Sequence, residues 1–256
     1  MSKQTEELVK LHYSVIAPLL MGAGVGDGKT TMCVMAQAAC IDALRKGKTL
    51  KTPTDEMECA CPVLRRMAIR LNDAKWWKDN AERTELLRPI IPLLLDSRGD
   101  RALTERRAFL VADHSVRVIT PLRMEWIIEN RPKQNSKLQP CLDAIRKIQP
   151  ITDKASALAA RDICREVRRD ADAFAAADAA AVAVAAAAAA ADAFADAVAA
   201  SDAFAAAVAA TAADAAAFAA AVAAAAAVAD ENKIFQQRVK YRTLMLECFY
   251  ACEALK

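Results

Sequence analysis

The chain has 256 residues, of which 55% are hydrophobic but only 5% aromatic, and its formal net charge at pH 7 is +3. That length can bury a core in one large domain or two small ones. The weak net charge, with no dense Lys/Arg run, argues against a nucleic-acid partner. The polar start MSKQTEELVK carries no secretory pattern, so a cytoplasmic protein is predicted, whose eight cysteines stay reduced and pack as small hydrophobes.

In chain order, Leu8, Leu11, Val15 and Leu19 share one face of a first helix that ends or kinks near Pro18. A glycine-rich stretch, MGAGVGDGKTT, follows it. Helical spacing then runs over Met32–Arg45 and stops at Gly47. The segment KTLKTPTDEMECACP has no periodicity. A helix is predicted over Val63–Leu71 and closed by Asn72-Asp73, with Trp76 and Trp77 covering the core beside it. Leu86–Leu95 reads as a short helix interrupted by prolines, Ser97–Asp100 as a turn, and Leu103–Thr120 as a long helix stopped by Pro121. Leu122–Glu129 and Leu138–Ile148 continue the helical pattern between prolines 132, 140 and 150.

From Thr152 onward neither Pro nor Gly occurs. One straight helix of that length would extend roughly 150 Å, too far for the rest of the chain to cover, so the segment is expected to fold back on itself. Between Ala171 and Ala229, 41 of 59 residues are alanine; six are aspartate (172, 178, 192, 196, 202 and 214), and none is Lys or Arg. The remainder therefore carries +9, that is, +3 with the six negative charges removed. Asp192, Asp196, Asp202 and Asp214 fall on one side of the helix, opposite Phe/Val pairs spaced i, i+4. The phase breaks between 179 and 191. Charge-free runs in the tract fall short of the roughly 20 residues a membrane span needs. Ile234, Phe235, Val239, Leu244, Leu246 and Phe249 are expected to close the bundle, with Cys248 and Cys252 on a common stripe.

Several motifs carry possible chemistry. Ala23–Thr30 fits a relaxed P-loop, in which Gly28, Lys29 and Thr30 would cradle phosphate and Mg²⁺, and Asp96 and Asp113 end apolar runs of the Walker-B kind. Pro18 and Pro92 oppose the strands such a motif requires. Cys59 and Cys61 offer two thiolates, short of a zinc ligand set. Arg106, Asp113, His114 and Arg117 lie along one predicted helix, with Asp113 and Arg117 spaced i, i+4. They form either a pocket for an anionic ligand, with Asn72, Asp73 and Asp100, or an internal salt-bridge network.

The segments DGKTTMCVMAQAA, CACPV, IRLNDA, IPLLLDSRGD and ERRAFLVADHSVRVITP, followed by the alanine-rich tail, resemble a group of uncharacterised bacterial and phage helical proteins. Members of that group vary at the equivalents of Lys29 and Thr30, which the resemblance sets against a P-loop. It implies no activity and no site residue.

These readings predict an all-α protein: a helical N-terminal portion over 1–150 packed on a folded-back alanine-rich bundle over 151–256. The function expected is a non-enzymatic helical interaction or ligand-binding protein in a phage- or immunity-associated setting, with another protein or a small anionic ligand as partner. Neither cofactor nor metal is called for, and a homo-oligomer is compatible. The alternative is a P-loop NTPase acting through Gly28, Lys29 and Thr30.

Overall fold

The computed structural model describes residue 7 and residues 31–48, 54, 56–74, 77–130, 135–174 and 231–255. Residues 8–30, Trp76 and residues 175–230 lie outside the described residues, and so do the expectations of a first helix near Pro18, of a phosphate-cradling loop, of Trp76 over the core and of the folded-back alanine tract. Among the described residues every regular element is helical, which makes the protein all-α. The chain divides into two compact units, Met1–Asp100 and Arg101–Lys256. The change of composition at 150/151 is a different boundary, because helices on its two sides pack together within the second unit.

In the N-terminal unit, helix α1 spans Val34–Arg45; the Cys33 sulfur caps its start by accepting from the Ala36 amide at 3.3 Å. Gly47, at φ +66, takes the left-handed conformation just beyond its end, as its sequence position foretold. Helix α2 spans Pro62–Asp73, with proline in the first turn, where the missing N–H costs nothing. Helix α3 (Asn80–Leu87) begins earlier than the apolar spacing suggested. Asp79 accepts from the Glu82 amide at 2.8 Å, and the Glu82 carboxylate accepts from the Lys78 amide at 2.8 Å, which resembles a capping box. Pro89 and Pro92 lack the N–H that would carry this helix onward, so a 3₁₀ turn (Arg88–Ile90) and the short α4 (Ile91–Leu94) follow. α1 packs on α2 and α4. Val34, Met35, Ile41, Leu64, Leu71, Leu87, Ile90, Ile91 and Leu94 are fully buried between them.

The same unit buries a polar network. Asn72 Oδ1 accepts from the Val34 amide at 3.3 Å, tying the start of α1 to the end of α2. The last carbonyls of α2 are satisfied from α3 and the loop before it. Trp77 Nε1 donates to Leu71 O at 2.8 Å, and Arg83 Nη1 donates to Asn72 O at 3.1 Å. Arg83 also donates to the Asn80 side chain. Its guanidinium is fully buried, and desolvation pushes its pKa down to about 10.

In the C-terminal unit, α5 (Arg101–His114) runs through a π-helical turn (Ser115–Ile119) into α6 (Thr120–Asn130). Pro121 therefore does not stop the helix as expected. The π turn immediately before it widens the backbone, and the Ser115 carbonyl takes both the Thr120 amide and, at 2.9 Å, the Thr120 hydroxyl. This local widening lets the chain absorb a proline that a regular helix would reject. Helix α7 (Asn135–Arg146) includes Pro140, α8 spans Lys154–Phe174 and α9 spans Glu231–Ala254. Asp153 caps α8 through the Ser156 amide at 2.8 Å. α7 packs on α6 and α8, and α9 packs on α5. Cys248, Phe249 and Cys252 are buried on α9, whereas Phe235, expected in the core, is 41% exposed.

Candidate functional site

Of the polar residues predicted along one helix, Arg106, Asp113 and His114 lie on α5 and Arg117 lies in the π turn that follows it. Arg106 is exposed, and its neighbour Arg107 is buried instead. Arg107 donates to the carbonyls of Cys252 (2.8 Å) and Leu255 (3.2 Å), which caps the C-terminus of α9. Asp113 pairs with Arg117 at 3.0 Å, and its Oδ1 accepts from the Ile151 amide at 2.8 Å. It thus anchors the segment leading into α8. Asn72, grouped with these residues in the sequence reading, is committed inside the N-terminal unit.

His114 is half-buried against α9. The Leu244 carbonyl accepts from its ring, and its Nε2 is buried without a hydrogen-bond partner. Burial lowers its pKa below 6.5, outweighing the Leu244 carbonyl and the carboxylates of Asp113 and Glu247, which raise it. The folded form thus binds a proton less readily than the unfolded chain. The resulting stability is fully present above the unfolded pKa of about 6.5 and is lost as pH falls through the folded value. Urea midpoints at pH 7.5 and 5.5 are expected to differ more in the wild type than in His114→Gln. Equal pH dependence in the two proteins would remove His114 as the cause.

Gly28, Lys29 and Thr30 lie outside the described residues. Of the two Walker-B-like aspartates, Asp96 follows helix α4 and Asp113 sits within helix α5, so neither ends a strand. Cys61 is buried at the start of α2, apart from a cluster that Cys59 forms with Asp42 and Asp96. The ligand atoms of this trio lie within 4.8 Å of one another. Its carboxylates already hold cations: Arg45 bridges Asp42 (2.6 Å) and Asp96, and Lys46 binds Asp42 (2.6 Å). Arg45 holds the Asp96 carboxyl below its ordinary range, and burial, above all, pushes the Cys59 thiol up. A metal would have to displace a guanidinium and deprotonate that thiol, so the cluster serves as an ion-pair clasp. Asp96 adopts φ 54, a conformation that Asp tolerates better than most residues.

Among the described residues, a cleft of 540 Å³ lies between α6 and α9. Trp126, Glu129 and Asn130 line it from α6 at i, i+3, i+4 spacing. Lys233, Gln236, Gln237 and Lys240 line it from α9 at i, i+3, i+4, i+7. The Asn130 amide is fixed by donating to Trp126 O at 2.8 Å. Glu129, Lys233 and Lys240 form no ion pair among the described residues, and Gln237 Nε2 is buried without a hydrogen-bond partner. Beside the cleft, the Arg123 guanidinium lies 5.7 Å from the Tyr241 ring centroid and stiffens the junction. Helical periodicity alone does not reveal this site. Its signal was a polar stripe on α9 at heptad spacing, facing a tryptophan one turn from the end of α6.

Compared with known proteins, the chain matches no family model, no curated protein and no solved structure.

Proposed function

We propose that the protein is a non-enzymatic binding protein whose C-terminal unit takes a small organic anion in the cleft between α6 and α9. One observation carries the reading: donors with no partner among the described residues line a cleft that also has an apolar wall. Lys233 and Lys240 supply positive charge, Gln237 Nε2 supplies a donor, and Trp126 supplies the wall. A volume of 540 Å³ falls within the range of about 300–1,000 Å³ usual for small-molecule sites. The groups lining the cleft suit holding a ligand rather than transforming one. All eight cysteines carry free thiols, in keeping with a cytoplasmic protein. No helix among the described residues is long and apolar enough to cross a membrane. The resemblance adds a bacterial or phage setting.

Anilinonaphthalene sulfonate, an aromatic anion, is a direct probe. Its fluorescence should rise on binding the folded protein, and Lys240→Glu should weaken that binding about tenfold, near 1.4 kcal/mol. Trp126→Phe should diminish energy transfer from protein to dye. Binding unchanged in Lys240→Glu would place the dye elsewhere and sink the reading.

A further inference from the structure

Helix α2 carries a second, independent feature. Arg65, Arg66, Ile69 and Arg70 share one face, within about 140° of arc at 100° per residue. All four are half-buried. None of the three arginines has a hydrogen bond or an ion pair among the described residues. Arg66 and Arg70 are spaced i, i+4, where like charges repel. Burial, first, and the charge of Arg66, second, push the Arg70 guanidinium below its ordinary range, and Asp73 offsets only part of this. The Nε atoms of Arg65 and Arg66 are buried without partners. The two side chains are thus partly buried, with no hydrogen-bond partner among the described residues.

A solvated arginine normally pairs with a carboxylate or extends freely into water. Here three half-buried arginines share one face of α2, Arg66 acts on Arg70 as a like charge, and Asp73 is the carboxylate that opposes it. That arrangement costs stability in the free protein, and a multiply charged anion would recover it. Planar guanidinium forks match phosphate oxygens in pairs, at bond strengths above those of neutral donors.

We infer that Arg65, Arg66 and Arg70 on α2 form a binding site for a phosphate group carried by a small, multiply charged anion. The inference does not depend on the cleft of the C-terminal unit.

Pyrophosphate is the probe, added to the full-length protein at constant ionic strength. The thermal midpoint should rise with its concentration as mass action requires, and the Nε–H resonances of Arg65 and Arg66 should shift. Sodium chloride at matched ionic strength should produce neither effect. Arg66→Gln and Arg70→Gln should each weaken binding about tenfold, yet without pyrophosphate their midpoints should equal or exceed the wild type's, because a repulsion is relieved. Lys240→Glu should bind pyrophosphate as the wild type does. Three results would overturn the inference: unmoved wild-type resonances and midpoint, a shift that survives in the Arg66→Gln/Arg70→Gln double variant, or a shift abolished by Lys240→Glu.

Discussion

Arg83→Ala should lower the unfolding free energy of the N-terminal unit by about 2–4 kcal/mol. Two terms set the size of this loss. Truncating a fully buried long side chain leaves a cavity between α2 and α3, and the Asn72 carbonyl loses its donor at a helix end. A third term opposes them, since removing the guanidinium also removes the cost of keeping a charge out of water, visible in its lowered pKa. The cavity and the orphaned acceptor together outweigh that relief. Arg83→Lys should recover little, because a single ammonium cannot serve both Asn72 O and the Asn80 side chain with a fork's geometry. Urea titration followed by tryptophan fluorescence reads the change through Trp77, which donates to the adjacent Leu71 carbonyl. A loss below about 1 kcal/mol in Arg83→Ala would show that the network does not hold α2 to α3.

The second large effect separates two neighbouring arginines. Arg107→Ala should cost the C-terminal unit about 2–4 kcal/mol, whereas Arg106→Ala should stay within about 0.5 kcal/mol. Arg107 is buried and bridges the end of α9 to α5 across 145 positions of sequence, with the Cys252 thiol donating back to Arg107 O at 3.6 Å. Losing it leaves the Cys252 and Leu255 carbonyls without their charged donor and frees the last turn of α9. Faster amide exchange confined to that turn would accompany the lower midpoint. Similar losses for the two variants would show that burial of Arg107 does not set its contribution.

This pair also marks where the sequence stopped being informative. Helical periodicity groups residues three and four apart, so Arg106 joins Leu110, Asp113 and Arg117 on a stripe. It does not say which stripe faces a partner helix. Tandem arginines lie about 100° apart, and choosing between them needs the position of α9. The α6/α9 cleft escaped notice for the same reason, because its two walls come from segments over 100 residues apart. The start of α3 was legible in principle. Asp79 and Glu82 stand at capping-box spacing, but the apolar pattern drew the predicted boundary to Leu86 instead. Pro121 misled in the opposite direction, since a π turn is a tertiary accommodation that single-residue rules do not foresee.

Local chemistry by itself determined the helical class of the protein, the stop at Gly47 and the shared buried stripe of Cys248 and Cys252. Each rests on conformational preferences acting within a few residues. Tertiary structure alone decided that Arg83 and Arg107 are buried caps, that Asp42 and Asp96 share Arg45, and that Lys233 and Lys240 face Trp126 across a cleft. These pairings join groups distant in sequence, and what selects them is how whole helix faces exclude water together, which no local window contains.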